Sequence, residues 1–221
     1  MIALKKIACA LFLAMTVLFS ALTASAAMPD ASAFYKAEDV TPVTAERCNM
    51  TLQLQDGANT ITRSGVYCVQ GSCVGQLIID AKDVDVYLYF DGISITSPDG
   101  PAIHVKAADK VIITLAAGTE STLKDSATFT LPVNEDEPNG ALFSKADLSI
   151  NGSGTLRVTA QYDDGIVSKD SLVIADAHII VDSKGDAIRG KDSVMLYHAN
   201  VTTAIFYCLN YRKAGRLVLL H

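Results

Sequence analysis

The sequence predicts an all-β chain wound as a parallel β-helix, a solenoid, on three observations. A string repeats: Asp164-Gly165-Ile166-Val167-Ser168-Lys169-Asp170-Ser171 returns 22 residues later as Asp186-Ala187-Ile188-Arg189-Gly190-Lys191-Asp192-Ser193. Fainter copies precede it at residues 76–83, 102–109 and 141–150, so the successive spacings are 26, 39, 24 and 22. Between them the chain alternates apolar and polar residues in short runs broken at Gly or Asp, which is the period of strands. A unit of this length is too long for one hairpin strand and cannot bury its apolar face alone. Stacking like residues on like, coil upon coil, solves both problems, and an antiparallel sandwich does not need the repeated phase.

Taken in order, the chain opens with Lys5 and Lys6, an apolar run over residues 7–22 and the small-residue site Ala24-Ser25-Ala26. This reads as a cleaved secretory signal over residues 1–26, and the protein as secreted or displayed at the cell surface. Residues 27–59 read as an irregular lead and cap, with alternation starting at Met50. Residues 60–203 carry the coils: residues 84–96 form strands around the Asp91-Gly92 turn, and residues 148–158 form two more around Gly152-Ser153-Gly154. The long 39-residue spacing contains an acidic, Pro-bearing insertion, residues 125–140. Residues 204–221 depart from the pattern, being basic and apolar, and read as a cap or as a truncated or frame-shifted end.

The formal charge is −6, and loss of Lys5 and Lys6 makes it −8. Setting aside Arg212, Lys213 and Arg216 of the tail leaves −11, which argues against nucleic acid as partner and suits cations or cation-bridged acidic polymers. Export permits disulfides. Cys68 could pair with Cys73 or with Cys48, and Cys208 is a fourth candidate.

Two sets of residues recur at one phase. Asp163, Asp164 and Asp186 fall at bends one coil apart, and strands stack at about 4.8 Å. Carboxylates so placed repel unless a cation sits between them, and hard oxygens suit calcium, with Asn139 or Glu137 completing the shell. The plain alternative is that they cap turns. Lys145, Lys169 and Lys191 form a column, with Lys106 below and Arg189 beside it. It reads either as exposed ion pairs with Asp147, Asp170 and Asp192, the preferred view, or as a strip receiving sugar carboxylates. The sequence carries no nucleophile elbow, zinc-protease or phosphate-loop motif, and its histidines read as structural or solvated. Arg189 beside the acidic bends is the one feature suggesting a calcium-assisted lyase.

Three strings together resemble a known family. They are Phe90-Asp91-Gly92-Ile93 with Gly100-Pro101-Ala102-Ile103; Asp136-Glu137-Pro138-Asn139 through Ser144-Lys145-Ala146-Asp147-Leu148 to Asn151-Gly152-Ser153-Gly154-Thr155-Leu156; and Asp164 to Asp170. Over residues 60–203 the chain is similar to secreted bacterial carbohydrate-binding domains with a right-handed parallel β-helix of the pectate lyase kind. The resemblance implies non-catalytic, calcium-assisted binding of an acidic plant polysaccharide such as polygalacturonate. It strengthens calcium at Asp164 and Asp186 within the metal set Asn139, Asp163, Asp164 and Asp186; the candidate ligand set is Lys145, Lys169, Arg189 and Lys191. Ala187 departs from the glycine that the family usually places after the acid. A uronate lyase on the same fold and a surface adhesion module are the alternatives.

Overall fold

The computed structural model describes residues 35–131, 137–204, 209–210 and 216–220; the expected signal segment lies outside them. The lead holds a one-turn helix α1 (Ala37–Val40) and a 3-10 turn (Ala45–Arg47). Strands follow in chain order: β1 (Met50–Gln53), β2 (Gly57–Ile61), β3 (Gly65–Gln70), β4 (Ser72–Asp80), β5 (Asp85–Phe90), β6 (Ser94–Thr96) and β7 (Ile103–Ala107). Next come β8 (Lys110–Leu115), β9 (Glu120–Lys124), β10 (Gly140–Ser144), β11 (Asp147–Asn151), β12 (Thr155–Ala160), β13 (Asp164–Ser168) and β14 (Ser171–Ala175). The last are β15 (His178–Ser183), β16 (Ile188–Gly190), β17 (Ser193–Tyr197), β18 (Asn200–Thr203), β19 (Leu209–Asn210) and β20 (Arg216–Leu220).

Each strand pairs in parallel with the strands one turn of the coil away, and the fold is a β-helix-like solenoid. One face runs β1-β3-β5-β8-β11-β14-β17-β20. A second runs β2-β4-β7-β10-β13-β16-β19, and a third runs β4-β6-β9-β12-β15-β18. Strand β4 serves both of the latter. Its Ser72–Val74 pairs with β6 and its later residues with β2 and β7. Gly75 permits the corner, because a Cβ there would stand 1.9 Å from the Gly57 carbonyl oxygen.

The register on the second face matches the repeat residue by residue. Leu77 pairs with Ile103, Ile103 with Leu142, Leu142 with Ile166 and Ile166 with Ile188, which reproduces the spacings 26, 39, 24 and 22. These residues, with Leu88, Ile113, Leu148 and Leu172 of the first face and Leu123, Leu156 and Ile179 of the third, form one buried core. Coils begin with β1 and β2, inside the stretch read as lead, and β19 and β20 continue the second and first faces within the tail.

The lead crosses the outer side of the first face, where Ile112, Ser149, Val173 and Met195 form a buried column. Asp39 is 3% exposed and accepts hydrogen bonds from Lys110 Nζ (2.7 Å) and Ser149 Oγ (2.7 Å). Asn151 Nδ2 donates to the Asp39 carbonyl at 3.1 Å, and Val43 N–H to Thr114 Oγ1 at 3.0 Å. Cys48 is bonded to Cys68, which ties the lead to β3, while Cys73 is free and buried. Of the two pairings left open for Cys68, the one with Cys73 is therefore excluded. Residues 68 and 73 lie on different faces, and 73 points into the core.

Candidate functional site

The outer side of the second face carries the residues that the repeat brings into columns. Its centre is His104, Phe143, Val167 and Arg189, each paired with the next. Beside it, Lys145 N–H donates to the Val105 carbonyl, Lys169 N–H to Ser144 and Lys191 N–H to Ser168, so these lysines stack one per coil with Lys106 next in line. Local chemistry sets their direction. The buried Ser144 Oγ bonds the Ala146 carbonyl, and Ser168 Oγ bonds those of Ala146 and Ser171. These hydroxyls close the turn and leave Lys145 and Lys169 to project.

At the other margin the predicted metal residues do meet. Asn139 Nδ2 donates to Asp163 Oδ2 (3.1 Å) and Asp164 Oδ2 (3.2 Å). Asp164 Oδ1 accepts the Asp186 N–H at 2.7 Å, so the Asp186 backbone is one coil away as the repeat requires. Arg189 Nη2 lies 3.0 Å from Asp164 Oδ2 and donates to Asn139 Oδ1 at 2.8 Å. Gly185 is pressed against the cluster, where a Cβ would stand 2.4 Å from both Asp163 Oδ1 and Asp164 Oδ1.

Both Asp164 oxygens are thus taken by protein donors, and the cation beside them is a guanidinium. Calcium needs about six to eight hard oxygens turned to one point, and among the described residues no group of three or more His, Cys, Asp or Glu is so gathered. As folded, Asn139 and Asp164 fit Arg189 and not a calcium ion at Asp164. The lysine column differs from the exposed ion-pair ladder preferred for it. Among the described residues no ion pair joins Lys145, Lys169 or Lys191 to Asp147, Asp170 or Asp192. Lys169 pairs with Glu137 of the insertion instead, and Asp147 Oδ1 is turned to the Ser171 N–H at 3.1 Å. Arg189, held by Asp164, is not placed as a free base.

Described residues of the insertion bracket this face. Thr130 N–H donates to Asp99 Oδ1 at 2.7 Å, and Phe129 stacks on Tyr162 with ring centroids 4.1 Å apart. Asp125, 1% exposed, holds the start of the insertion by accepting the Gln161 N–H.

The sequence pattern of the family described as carbohydrate-binding domain-containing protein matches residues 55–205. The chain belongs to this family. A carbohydrate-binding domain-containing protein of Acetivibrio thermocellus is 34% identical over 124 residues, which cover 55% of this chain and 43% of that protein. The match therefore spans less than half of the relative's length. The solved structure of a polysaccharide lyase-like protein from C. thermocellum, a gadolinium derivative, superposes with a TM-score of 0.58 at 19% identity. It covers 75% of this chain and 98% of that one, and the likeness is one of fold.

Three features of this carbohydrate-binding domain escaped sequence reasoning. They are His104, whose position in the repeat is filled by a different residue type in each coil, and Asp125 and the Phe129–Tyr162 stack, which belong to or meet the insertion. Asp164, Asp125 and His104 carry its titration. Burial holds the Asp164 carboxyl up to about 6, with Arg189 opposing and Asp163 adding, and burial holds Asp125 up to about 6 against its hydrogen bonds. Burial, then Lys106 and Lys145, hold His104 down to about 4. Between about pH 4 and 6 the native acids keep protons that the unfolded chain has released, so stability falls as pH rises. For His104 the unfolded chain binds the extra proton between about 4 and 6.5, so stability rises with pH. Two acids against one imidazole leave the protein less stable at pH 6.5 than at pH 4. Urea midpoints at the two pH values check this. Asp125→Asn should flatten the slope, and a protein more stable at pH 6.5 would overturn the assignment.

Proposed function

We propose that this protein is a secreted, non-catalytic binding protein for an acidic polysaccharide such as polygalacturonate, on a right-handed coil of the pectate lyase kind. The observation that carries the reading is the column Lys106, Lys145, Lys169 and Lys191, one cation per coil on one outer face of a chain that is otherwise strongly acidic. A row of cations on an acidic body has the sign that a polymer of carboxylates requires, and opposite fields guide such a polymer to that face. The family supports carbohydrate as the partner. The acidic class rests on the lysines.

Calcium is the proposed assistant, and the arrangement at Asp164 gives it no seat there. Its role would be between exposed carboxylates and the polymer. The deciding experiment is sedimentation of the folded protein with polygalacturonate and with cellulose, in calcium and then in chelator, while ultraviolet absorbance follows unsaturated products. Retention on polygalacturonate with the polymer intact is expected, weakened by chelator if calcium assists. Appearance of unsaturated ends would replace the reading with a uronate lyase. Retention on neither polymer would leave an adhesion module.

A further inference from the structure

Of the cations on the second face, two are already engaged by the protein: Lys169 by Glu137 and Arg189 by Asp164. Lys106 and Lys145 are exposed and make no ion pair among the described residues. They flank His104, whose charge they disfavour. Beside His104 and Lys106 lies a groove of about 290 Å³, walled by Gln76, Asp99, Phe129 and Pro138. That volume is at the small end for ligand sites and suits one ring better than a run of them.

The groove is built rather than incidental. Gln76 Nε2 donates to the Asp99 and Pro101 carbonyls at 2.9 and 2.8 Å, and Asp99 Oδ1 holds Thr130, so one wall is fixed by its own hydrogen bonds. Phe129 is fixed by Tyr162. The floor is not satisfied: His104 Nε2 is buried and has no hydrogen-bond partner, while the ring edge meets Phe143 at a centroid distance of 5.7 Å. A buried polar atom left so is uncommon and asks for a partner. No hydrogen bond at Nε2 holds the ring, and the second side-chain torsion of histidine is soft.

We propose that this groove is the subsite for a single uronate residue, its carboxylate between Lys106 and Lys145, a ring hydroxyl on His104 Nε2 and its carbon-hydrogen face toward Phe129. A hydroxyl both donates and accepts, so it meets either tautomer of a neutral imidazole. The inference rests on the acidic-polysaccharide reading and narrows it from a whole face to one coil.

Calorimetric titration of the full chain with trigalacturonate and with cellotriose tests it. The variants are Lys106→Gln, Lys145→Gln and His104→Phe, which keeps a ring against Phe143, with Lys36→Gln, exposed in the lead over the first face, as control. Each of the first three should weaken trigalacturonate at least tenfold, the control should not, and cellotriose should bind weakly throughout. The two lysine variants alter exposed side chains, so they report even if His104→Phe does not fold. If wild type and variants bind trigalacturonate alike, the subsite is elsewhere on the face and this inference fails while the polysaccharide reading stands. If cellotriose binds as well as trigalacturonate and the lysine variants do not alter it, the groove takes a neutral sugar and the uronate assignment fails. If folded wild type binds neither, the polysaccharide reading fails with it.

Discussion

Lys110→Ala is expected to lower the unfolding free energy by about 4 kcal/mol, as removal of one member of a buried ion pair does. The Lys110 side chain is 8% exposed and that of Asp39 4%, with Nζ 2.7 Å from Asp39 Oδ1 and 3.3 Å from Glu38 Oε1. Burial disfavours the charged amine, but the hydrogen bonds and charges of Asp39 and Glu38 outweigh it, and its affinity for a proton rises. Truncation would leave the Asp39 carboxylate with only Ser149 Oγ and the Lys36 N–H, and no counter-charge. The lead would then loosen from the first face, so hydrogen exchange near residues 37–43 should speed more than exchange in the core strands. Lys110→Met combined with Asp39→Leu should recover much of the loss, since the pair is replaced by apolar groups. A cost below about 1 kcal/mol for Lys110→Ala would show that the carboxylate is solvated and the lead is not held as described.

Arg189→Ala should cost about 1 to 2 kcal/mol more at pH 7 than at pH 4, less than the Lys110 change, because an Asp164 carboxyl left without its counter-charge takes up a proton. Asp164 is 3% exposed, and its other donors are neutral: the Asp186 N–H and Asn139 Nδ2. Without the guanidinium the native carboxyl would keep its proton to still higher pH. The variant's deficit should therefore shrink toward pH 4, where Asp164 is protonated in either protein. Asp164→Asn in the Arg189→Ala background should remove the pH dependence of the deficit, because an amide does not titrate. Equal deficits at pH 4 and pH 7 in urea titrations would argue that the loss is one of packing.

Much of this was legible because a solenoid writes its register into its sequence. The pairing of Leu77, Ile103, Leu142, Ile166 and Ile188 restates the distances between repeated strings. The same logic placed Asp164 next to Asp186 and lined up Lys145, Lys169 and Lys191. What repetition cannot encode is contact with anything that does not repeat. Glu137 on Lys169 and Thr130 on Asp99 come from the single insertion, and Asp39 on Lys110 comes from the lead. The role of Arg189 was missed for a related reason: its counterparts one and two coils back are Val167 and Phe143, so no column announced a cation there. Stacked aspartates alone suggested a metal, and only the position of that arginine shows that the cation at Asp164 is a guanidinium.

The stacking of Lys106, Lys145, Lys169 and Lys191 at one residue per coil also makes this face a ruler. Its graduations are set by the backbone, at about 4.8 Å, and not by the side chains themselves. A polymer laid along the axis would meet Lys106, Lys145 and Lys191 in turn, and would take up Lys169 on displacing Glu137 from it. Residence would then grow steeply with the number of rungs spanned, because each further contact forms at the high local concentration imposed by its neighbours. Short oligomers would exchange quickly where long chains persist, and the protein would sort its partners by length as well as by charge.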